Sequence, residues 1–254
     1  MKVLVTAGDT YEPIDDVRKV THMATGRLGS LIADAFARRG AEVTFLCGER
    51  SIRPALSMDK IVEIQGVVSL QKALKELLSN IKYDSVVHSM AVSDYTIRGL
   101  ATEDALINEL LKAISDSGTV YDEKQLYSNI QQAISNALYS ATGKISSDFD
   151  SLTVFMDRAP KVISCVKQIQ PNTILVGFKL LSHVAEEALI QAAQEQMRSN
   201  GSDFVLANDL SNIEGDHHQG MLIGSDGILD RPATKQDIAE SIASHVIGKM
   251  TEQR

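Results

Sequence analysis

The chain has 254 residues, 44% of them hydrophobic, and a formal net charge of −8. That length and apolar content suit one large α/β domain, or one domain carrying an insertion. The acidic balance argues against nucleic acid as a partner, which calls for a basic footprint, but leaves room for phosphate ligands held by a few local cations and N–H groups. No apolar run reaches the roughly 18 residues of a membrane span, so no membrane partner is expected. Val3 opens a strand where a basic-then-apolar leader would stand, and the two cysteines, Cys47 and Cys165, form no spaced motif. The simple expectation is a reduced, cytoplasmic protein.

Strands and helices alternate along the chain. Val3 to Thr6 is a short β-branched apolar run, read as a buried strand. The turn Ala7-Gly8-Asp9-Thr10 follows, then a long mixed loop up to Thr25-Gly26-Arg27-Leu28-Gly29, where a helix opens. Leu28, Leu31, Ile32, Ala35 and Phe36 recur at helical spacing, and Gly40 stops the helix. Val43–Leu46 and Ile61–Ile64 predict strands, Ser69–Leu78 an amphipathic helix, and Ser85–His88 a strand running into Ser89-Met90-Ala91-Val92-Ser93-Asp94-Tyr95. Residues 96 to about 143 break the pattern with polar sequence and helical runs at Glu103–Ile114 and Lys124–Ala141. This stretch is either an inserted flap or dimerisation arm, or a crossover helix lengthened by insertion. Pro160-Lys161-Val162-Ile163 reads as a helix start. Leu175–Phe178 is a strand, Val184–Met197 a helix stopped at Ser199-Asn200-Gly201, and Phe204–Ala207 a strand. Met221–Ile223 and Gly227–Leu229 form a hairpin around Ser225-Asp226, and Lys235–Met250 is a final helix. The sum is a single Rossmann-like α/β domain over residues 1–254, with a doubly wound, mostly parallel sheet and the inserted arm.

Ligands of such sheets sit beyond the C-terminal strand ends. Gly8 and Thr10, Asp94, the Gly177-Phe178-Lys179 turn and Asn208-Asp209 all follow apolar strands directly, and their convergence predicts a site. The helix start at Thr25-Gly26 presents unpaired N–H groups and a positive dipole end, suited to a phosphate. Thr25 is placed to cap it. Gly26 and Gly29 either admit the anion or only let the helix pack closely on the sheet; their spacing lacks the full G-x-G-x-x-G pattern. Asp94 can hold a ribose hydroxyl, a base amine or a metal-bound phosphate, or can simply close an Asx turn. Lys144, preceded by Gly143, can reach over phosphates or be a solvated surface lysine. The N–H groups at Pro160–Ile163 can take a second anion. His22 can take a proton or donate a hydrogen bond, or be an ordinary loop residue. His217-His218, adjacent and facing opposite ways, predicts a surface pair, and no metal ligands are assigned. Neither cysteine has a paired base in sequence, so no nucleophile is assigned. The rival reading is a nucleotide- or NAD(P)-binding oxidoreductase. The six tyrosines are followed at +4 by Asp15, Val87, Gly99, Gln125, Gln131 and Gly143, so the Tyr-x-x-x-Lys pair of short-chain dehydrogenases is missing.

Taken together, V-T-A-G-D-T-Y-E-P-I-D-D-V-R, T-G-R-L-G, H-S-M-A-V-S-D-Y, K-I-S-S, P-K-V-I, V-G-F-K-L-L and L-A-N-D-L resemble phosphopantothenate–cysteine ligases, in order and over nearly the whole chain. The likeness is to the stand-alone bacterial form. It implies activation of 4′-phosphopantothenate by CTP (ATP possible) with Mg2+, through an acyl-cytidylate, then attack by the cysteine amine, in a homodimer of the coenzyme A route. By resemblance, Met90, Ala91 and Asp94 belong to nucleotide recognition. Lys144 contacts the triphosphate and supports the first half-reaction. Pro160, Lys161, Val162, Ile163 and Phe178 make further nucleotide contacts, and Arg18, Thr25 and Gly26 lie where phosphopantothenate is received. The family's asparagine for holding the acyl intermediate is replaced by His22, its Gly-Gly-Thr by Gly8-Asp9-Thr10, and two lysines of bifunctional members fall near Gln196 and Asn200.

Overall fold

The computed structural model describes residues 1–116, 122–140 and 143–252. These form strands β1 (Lys2–Ala7), β2 (Tyr11–Pro13) and β3 (Lys19–Thr21), helix α1 (Arg27–Arg38), strands β4 (Glu42–Gly48) and β5 (Lys60–Ile64), helix α2 (Val67–Asn80) and strands β6 (Ser85–His88) and β7 (Tyr95–Thr102). Helices α3 (Glu103–Asp116) and α4 (Glu123–Ala137), strand β8 (Leu152–Arg158), helix α5 (Ser164–Ile169), strand β9 (Ile174–Leu181), helix α6 (Glu186–Asn200) and strand β10 (Phe204–Asp209) follow. The short strands β11 (Ile213–Glu214) and β12 (His217–His218), the hairpin β13 (Met221–Gly224) and β14 (Gly227–Asp230), and helix α7 (Lys235–Glu252) complete them.

The chain divides into two compact units, Met1–Thr10 with His22–Ser93 and Pro160–Arg254, and Tyr11–Thr21 with Asp94–Ala159. The first is built on a sheet ordered β14-β13-β10-β9-β6-β1-β4-β5. The six strands from β10 to β5 run parallel, and β13 and β14 turn antiparallel at one edge. Strands β6 and β10 are buried along their whole length. That is why their apolar residues, Val86–Val87 and Phe204–Ala207, follow one another without alternation: helices cover both faces of a parallel sheet. Helices α1 and α7 pack together, and Val3, Val5, Phe36, Phe45, Ile238 and Val246 share one core. On α6, Leu189 and Ala193 pack on Val205 and Ile223. The stops expected at Gly40 and Gly201 are present, both glycines taking positive φ (+77 and +67).

The second unit takes in more than the stretch expected as an inserted arm. It begins at Asp94, runs to Ala159 and includes the small β2–β3 hairpin of the first loop. Its frame is β7 paired antiparallel with β8, with a register shift between Ile97 and Gly99. The packed helices α3 and α4 lie between those strands in sequence. Helix α4 ends at Ala137 rather than Ala141, which lies outside the described residues.

Candidate functional site

Strand β1 pairs with β4 on one side and β6 on the other, and the chain runs outward from that pair in both directions. The ligand crevice of such a sheet opens at the reversal, here beyond the C-terminal ends of β1 and β6. Past β1 the backbone turns at Gly8 with φ +83. Ala91 N donates to Gly8 O at 2.9 Å, Thr10 N to Ala91 O at 3.0 Å, and Ser93 N to the Thr10 hydroxyl at 2.9 Å. Met90 N donates to the Thr6 hydroxyl at 3.3 Å. The N–H groups of both Met90 and Ala91 are therefore spent in closing the crevice floor.

Helix α1 begins against this turn. Its N-cap is Gly26 at φ +77, with no side-chain cap. The expected cap, Thr25, lies one residue earlier: its hydroxyl takes only a long bond from Arg27 N at 3.4 Å, and its carbonyl accepts from Ile52 N at 2.9 Å. A Cβ on Gly29 would lie 2.4 Å from the Ala7 Cβ, so Gly29 serves close helix–strand packing. A Cβ on Gly26 would lie 3.1 Å from Gly8 N. Gly26 thus brings the first turn of α1, with N–H groups that the helix leaves unpaired, up to the β1 turn. No acidic residue occupies that first turn, and Arg27 is exposed on it. Dipole, N–H groups and cation together suit an anion. His22 is exposed in the segment leading into this corner.

Of the other positions in this unit, Pro160 and Lys161 are exposed while Val162 and Ile163 are buried. Helix α5 starts at Ser164, four residues past Pro160 and later than expected. The carbonyls of Lys161, Val162 and Ile163 accept from Ser164, Cys165 and Val166 N in a tight turn. Phe178 is half-buried against the core. Ile163 Cδ1 comes within 3.5 Å of where a Cβ on Gly177 would be. Asp209 is fully engaged: it accepts from His183 N (3.1 Å), Val184 N (2.9 Å), Ser211 N (2.8 Å) and the Ser211 hydroxyl (2.6 Å). The Ser211 bonds and the Val184 N–H hold its carboxyl well below the usual carboxylate range. A cavity of about 330 Å³ borders Asn208, Asp209, Glu186 and Arg231. Larger ones of about 430 and 650 Å³ lie by Phe204 and Asp84, at the N-terminal strand ends, the wrong edge for a ligand of this fold.

His218, expected on the surface, is buried, and only His217 is exposed. Its Nε2 lies 2.9 Å from Asn208 Nδ2, and its Nδ1 has no partner among the described residues. Burial, with Lys235 and His217 adding, pushes its imidazole down to about 4. Both cysteines are buried, and burial pushes the Cys47 thiol up to about 11, away from nucleophilic use.

In the second unit Asp94 is exposed, and its carbonyl accepts from Ala159 N at 2.8 Å. Arg18 is not a free cation. Its Nε and Nη2 donate to Asp15 Oδ2 at 3.0 and 2.7 Å, and Nη2 also to Ile145 O at 3.2 Å. The guanidinium holds the Asp15 carboxyl below the usual range. Lys144 is exposed, next to buried Ile145. Three relationships escaped the sequence reading: Asp15 with Ile145, Asn208 with His218, and Thr6 with His88. In each the partners lie in separate elements, and no spacing rule joins them.

The family model described as DNA/pantothenate metabolism flavoprotein C-terminal domain matches residues 1–105 and 136–250. The coenzyme A biosynthesis bifunctional protein CoaBC of Thermococcus kodakarensis is 31% identical over 242 residues, 95% of this chain and 49% of that protein. The corresponding protein of Haemophilus influenzae is 33% identical over 212 residues, 83% of this chain and 41% of its own length. The chain thus spans about half the length of these curated relatives. The crystal structure of the DNA/pantothenate metabolism flavoprotein from Streptococcus pneumoniae is 31% identical, covers 98% of this chain and 99% of that one, and superposes with a TM-score of 0.77.

Proposed function

This chain belongs to the DNA/pantothenate metabolism flavoprotein C-terminal domain family, and on that premise we propose that it joins 4′-phosphopantothenate to L-cysteine for coenzyme A synthesis, using CTP. The observation that carries the reading is the corner where Gly26 brings the α1 N-terminus to Gly8 at the β1/β6 reversal. It is an anion site at the ligand edge of the sheet, as a phosphorylated acid and a nucleotide require. The coenzyme A biosynthesis role named for the Thermococcus kodakarensis relative points the same way.

In the first step the pantothenate carboxylate attacks the α-phosphorus of CTP, the bond to the β-phosphate oxygen breaks, and pyrophosphate leaves. The exposed Lys144 ammonium neutralises the charge that gathers on the phosphates. In the second step the cysteine amine attacks the acyl carbon, loses a proton, and CMP departs. His22 donates to the acyl oxygen as it becomes negative. Met90, Ala91, Phe178 and the 160–163 turn supply the surface against which the nucleotide lies.

Magnesium would come with the nucleotide, held by its phosphates and water, while the exposed Asp94 would serve the nucleotide itself. Among the described residues no group of three His, Cys, Asp or Glu side chains forms a protein-only metal site. Bound with the phosphates, the ion would add further charge neutralisation. A homodimer is the proposed assembly, checked by light scattering.

Pyrophosphate release tests the function. It should require both CTP and phosphopantothenate, and CMP should appear only when cysteine is added. ATP competing in the same tube fixes the nucleotide preference. Tight NADPH binding with no pyrophosphate release would instead favour an oxidoreductase.

A further inference from the structure

The backbone beside Lys144 is clamped from a distant turn. The Asp15 side chain is fully buried, although its residue stands in the small β2–β3 hairpin. Its Oδ1 accepts from Val17 N at 2.9 Å and Arg18 N at 2.7 Å, which closes the hairpin turn. Its Oδ2 accepts from the Arg18 guanidinium and from Ile145 N at 3.1 Å. Arg18 Nη2 returns to Ile145 O at 3.2 Å. One buried carboxylate and one guanidinium therefore hold the N–H and the C=O of the same residue, across 130 positions of sequence. The Ile145 side chain is itself buried. On the other side of Lys144 stands Gly143 at φ +79, where an added Cβ would meet nothing within 4 Å. The lysine thus has a neighbour fixed by hydrogen bonds on its C-terminal side and an uncrowded, positive-φ glycine on its N-terminal side.

We propose that Asp15 and Arg18 are positioning residues for Lys144: the clamp on Ile145 sets how far the lysine ammonium reaches toward the phosphates. This rests on the role given to Lys144 above. It also moves Arg18 from direct phosphate contact to support, because two of its three nitrogens already serve the clamp. The second carboxylate oxygen is the part that matters. The amide introduced by Asp15→Asn would keep the acceptor for Val17 and Arg18 N–H, but would turn an NH2 toward the guanidinium and the Ile145 N–H, donor against donor.

The experiment uses Asp15→Asn and Arg18→Gln in the full chain, with two kinds of readout. The first needs no activity: hydrogen exchange at the Ile145 amide, and the rate of trypsin cleavage after Lys144. Both should rise by about tenfold, the loss expected for one or two hydrogen bonds. The second is pre-steady-state pyrophosphate release with CTP and phosphopantothenate. The rate at saturation should fall about tenfold or more with little change in KM, and Asp15→Asn should add little once Lys144 is already Ala. Unchanged exchange and cleavage in both variants overturns the clamp. A raised KM for phosphopantothenate in Arg18→Gln with unchanged exchange overturns it too, and makes Arg18 a substrate ligand. Losses that multiply with Lys144→Ala overturn the link to the lysine. If Asp15→Asn does not fold, Arg18→Gln, which keeps the carboxylate, carries the same tests. A wild-type chain without CTP-dependent turnover would sink the ligase reading alone, since exchange and cleavage still report on the clamp.

Discussion

Thr6 Oγ1 and His88 Nδ1 lie 3.0 Å apart, on register partners of β1 and β6 at the reversal of the sheet. The same hydroxyl accepts from Met90 N. Both bonds are satisfied when the hydroxyl donates to Nδ1 and the imidazole is neutral with its proton on Nε2. Burial enforces that state, pushing His88 down to about 4. The pair fixes the crevice floor from below, so the charge state of His88 bears on the fold and the site together.

The sign of the pH effect follows. A histidine with a lowered native pKa binds its proton more readily in the unfolded chain, so stability falls as pH drops from about 6.5 toward 4 and levels off below. For His88 the drop corresponds to roughly 3 kcal/mol, and His218, lowered to a similar value, acts in the same window. Asp15 and Asp209 are lowered carboxyls, so their contribution is present near neutrality and is lost only at still lower pH. Urea midpoints between pH 7 and 4.5 should therefore decline in the wild type and decline less in a His88→Gln, His218→Gln double variant. Equal slopes in the two proteins would remove the histidines from the account.

Glycines in α1 and just past its end separate packing from backbone conformation. An alanine at Gly29 places its methyl 2.4 Å from the Ala7 Cβ and 3.1 Å from the Ala7 Cα. Helix and strand must part, at a cost of about 1–3 kcal/mol or more. Gly40 has open space around it but a φ of +77, so Gly40→Ala should cost only the backbone term, roughly 1–2 kcal/mol. Thermal melts should rank Gly29→Ala below Gly40→Ala. Wild-type behaviour of Gly29→Ala would contradict the contact between α1 and β1.

The parts of this chain that the sequence made legible share a physical cause. Strands such as Ser85–His88 and Phe204–Asp209 are buried on both faces, so apolar residues follow one another without alternation at Val86–Val87 and Phe204–Ala207, and α1 shows its stripe at Leu28, Leu31, Ile32, Ala35 and Phe36. The β7–β8 pair left no such trace. Its strands are separated by 49 intervening residues, 103 to 151, and are largely half-exposed, so neither a hairpin turn nor a clean alternation marks them. The three-residue strands β2 and β3 are too short for any period to register. At the site, glycines and strand ends were readable because they are local. Capping by Gly26 rather than Thr25 was not, since it depends on how closely Gly8 approaches.

Lys144→Ala should lower the rate of acyl-cytidylate formation by on the order of a hundredfold, the usual consequence of losing one positioned charge from a phosphoryl transition state. The exposed lysine lies in no core, so the melting temperature should hold. Pre-steady-state pyrophosphate release at saturating CTP reads the effect directly. Normal turnover under those conditions would make Lys144 a surface residue.

The second half-reaction makes a different demand, and His22 is the residue to change. Neutralising the phosphates belongs to the first step. Attack by the cysteine amine instead needs a donor near the acyl oxygen, which gains negative charge as the tetrahedral intermediate forms. An asparagine amide in that place is a fixed donor, whereas a neutral imidazole donates from only one of two nitrogens and must hold the right tautomer. His22 is exposed, in the segment between β3 and the α1 N-terminus, so the exchange should leave the fold intact. His22→Asn should keep the rate of acyl-cytidylate formation within about twofold and change its consumption by cysteine by about tenfold, the span of one charge-assisted hydrogen bond. Quenched-flow measurement of the intermediate, with and without cysteine, follows the two steps separately. If formation collapses while consumption is spared, His22 serves the nucleotide or the packing of its own loop, and the acyl oxygen must find its donor elsewhere.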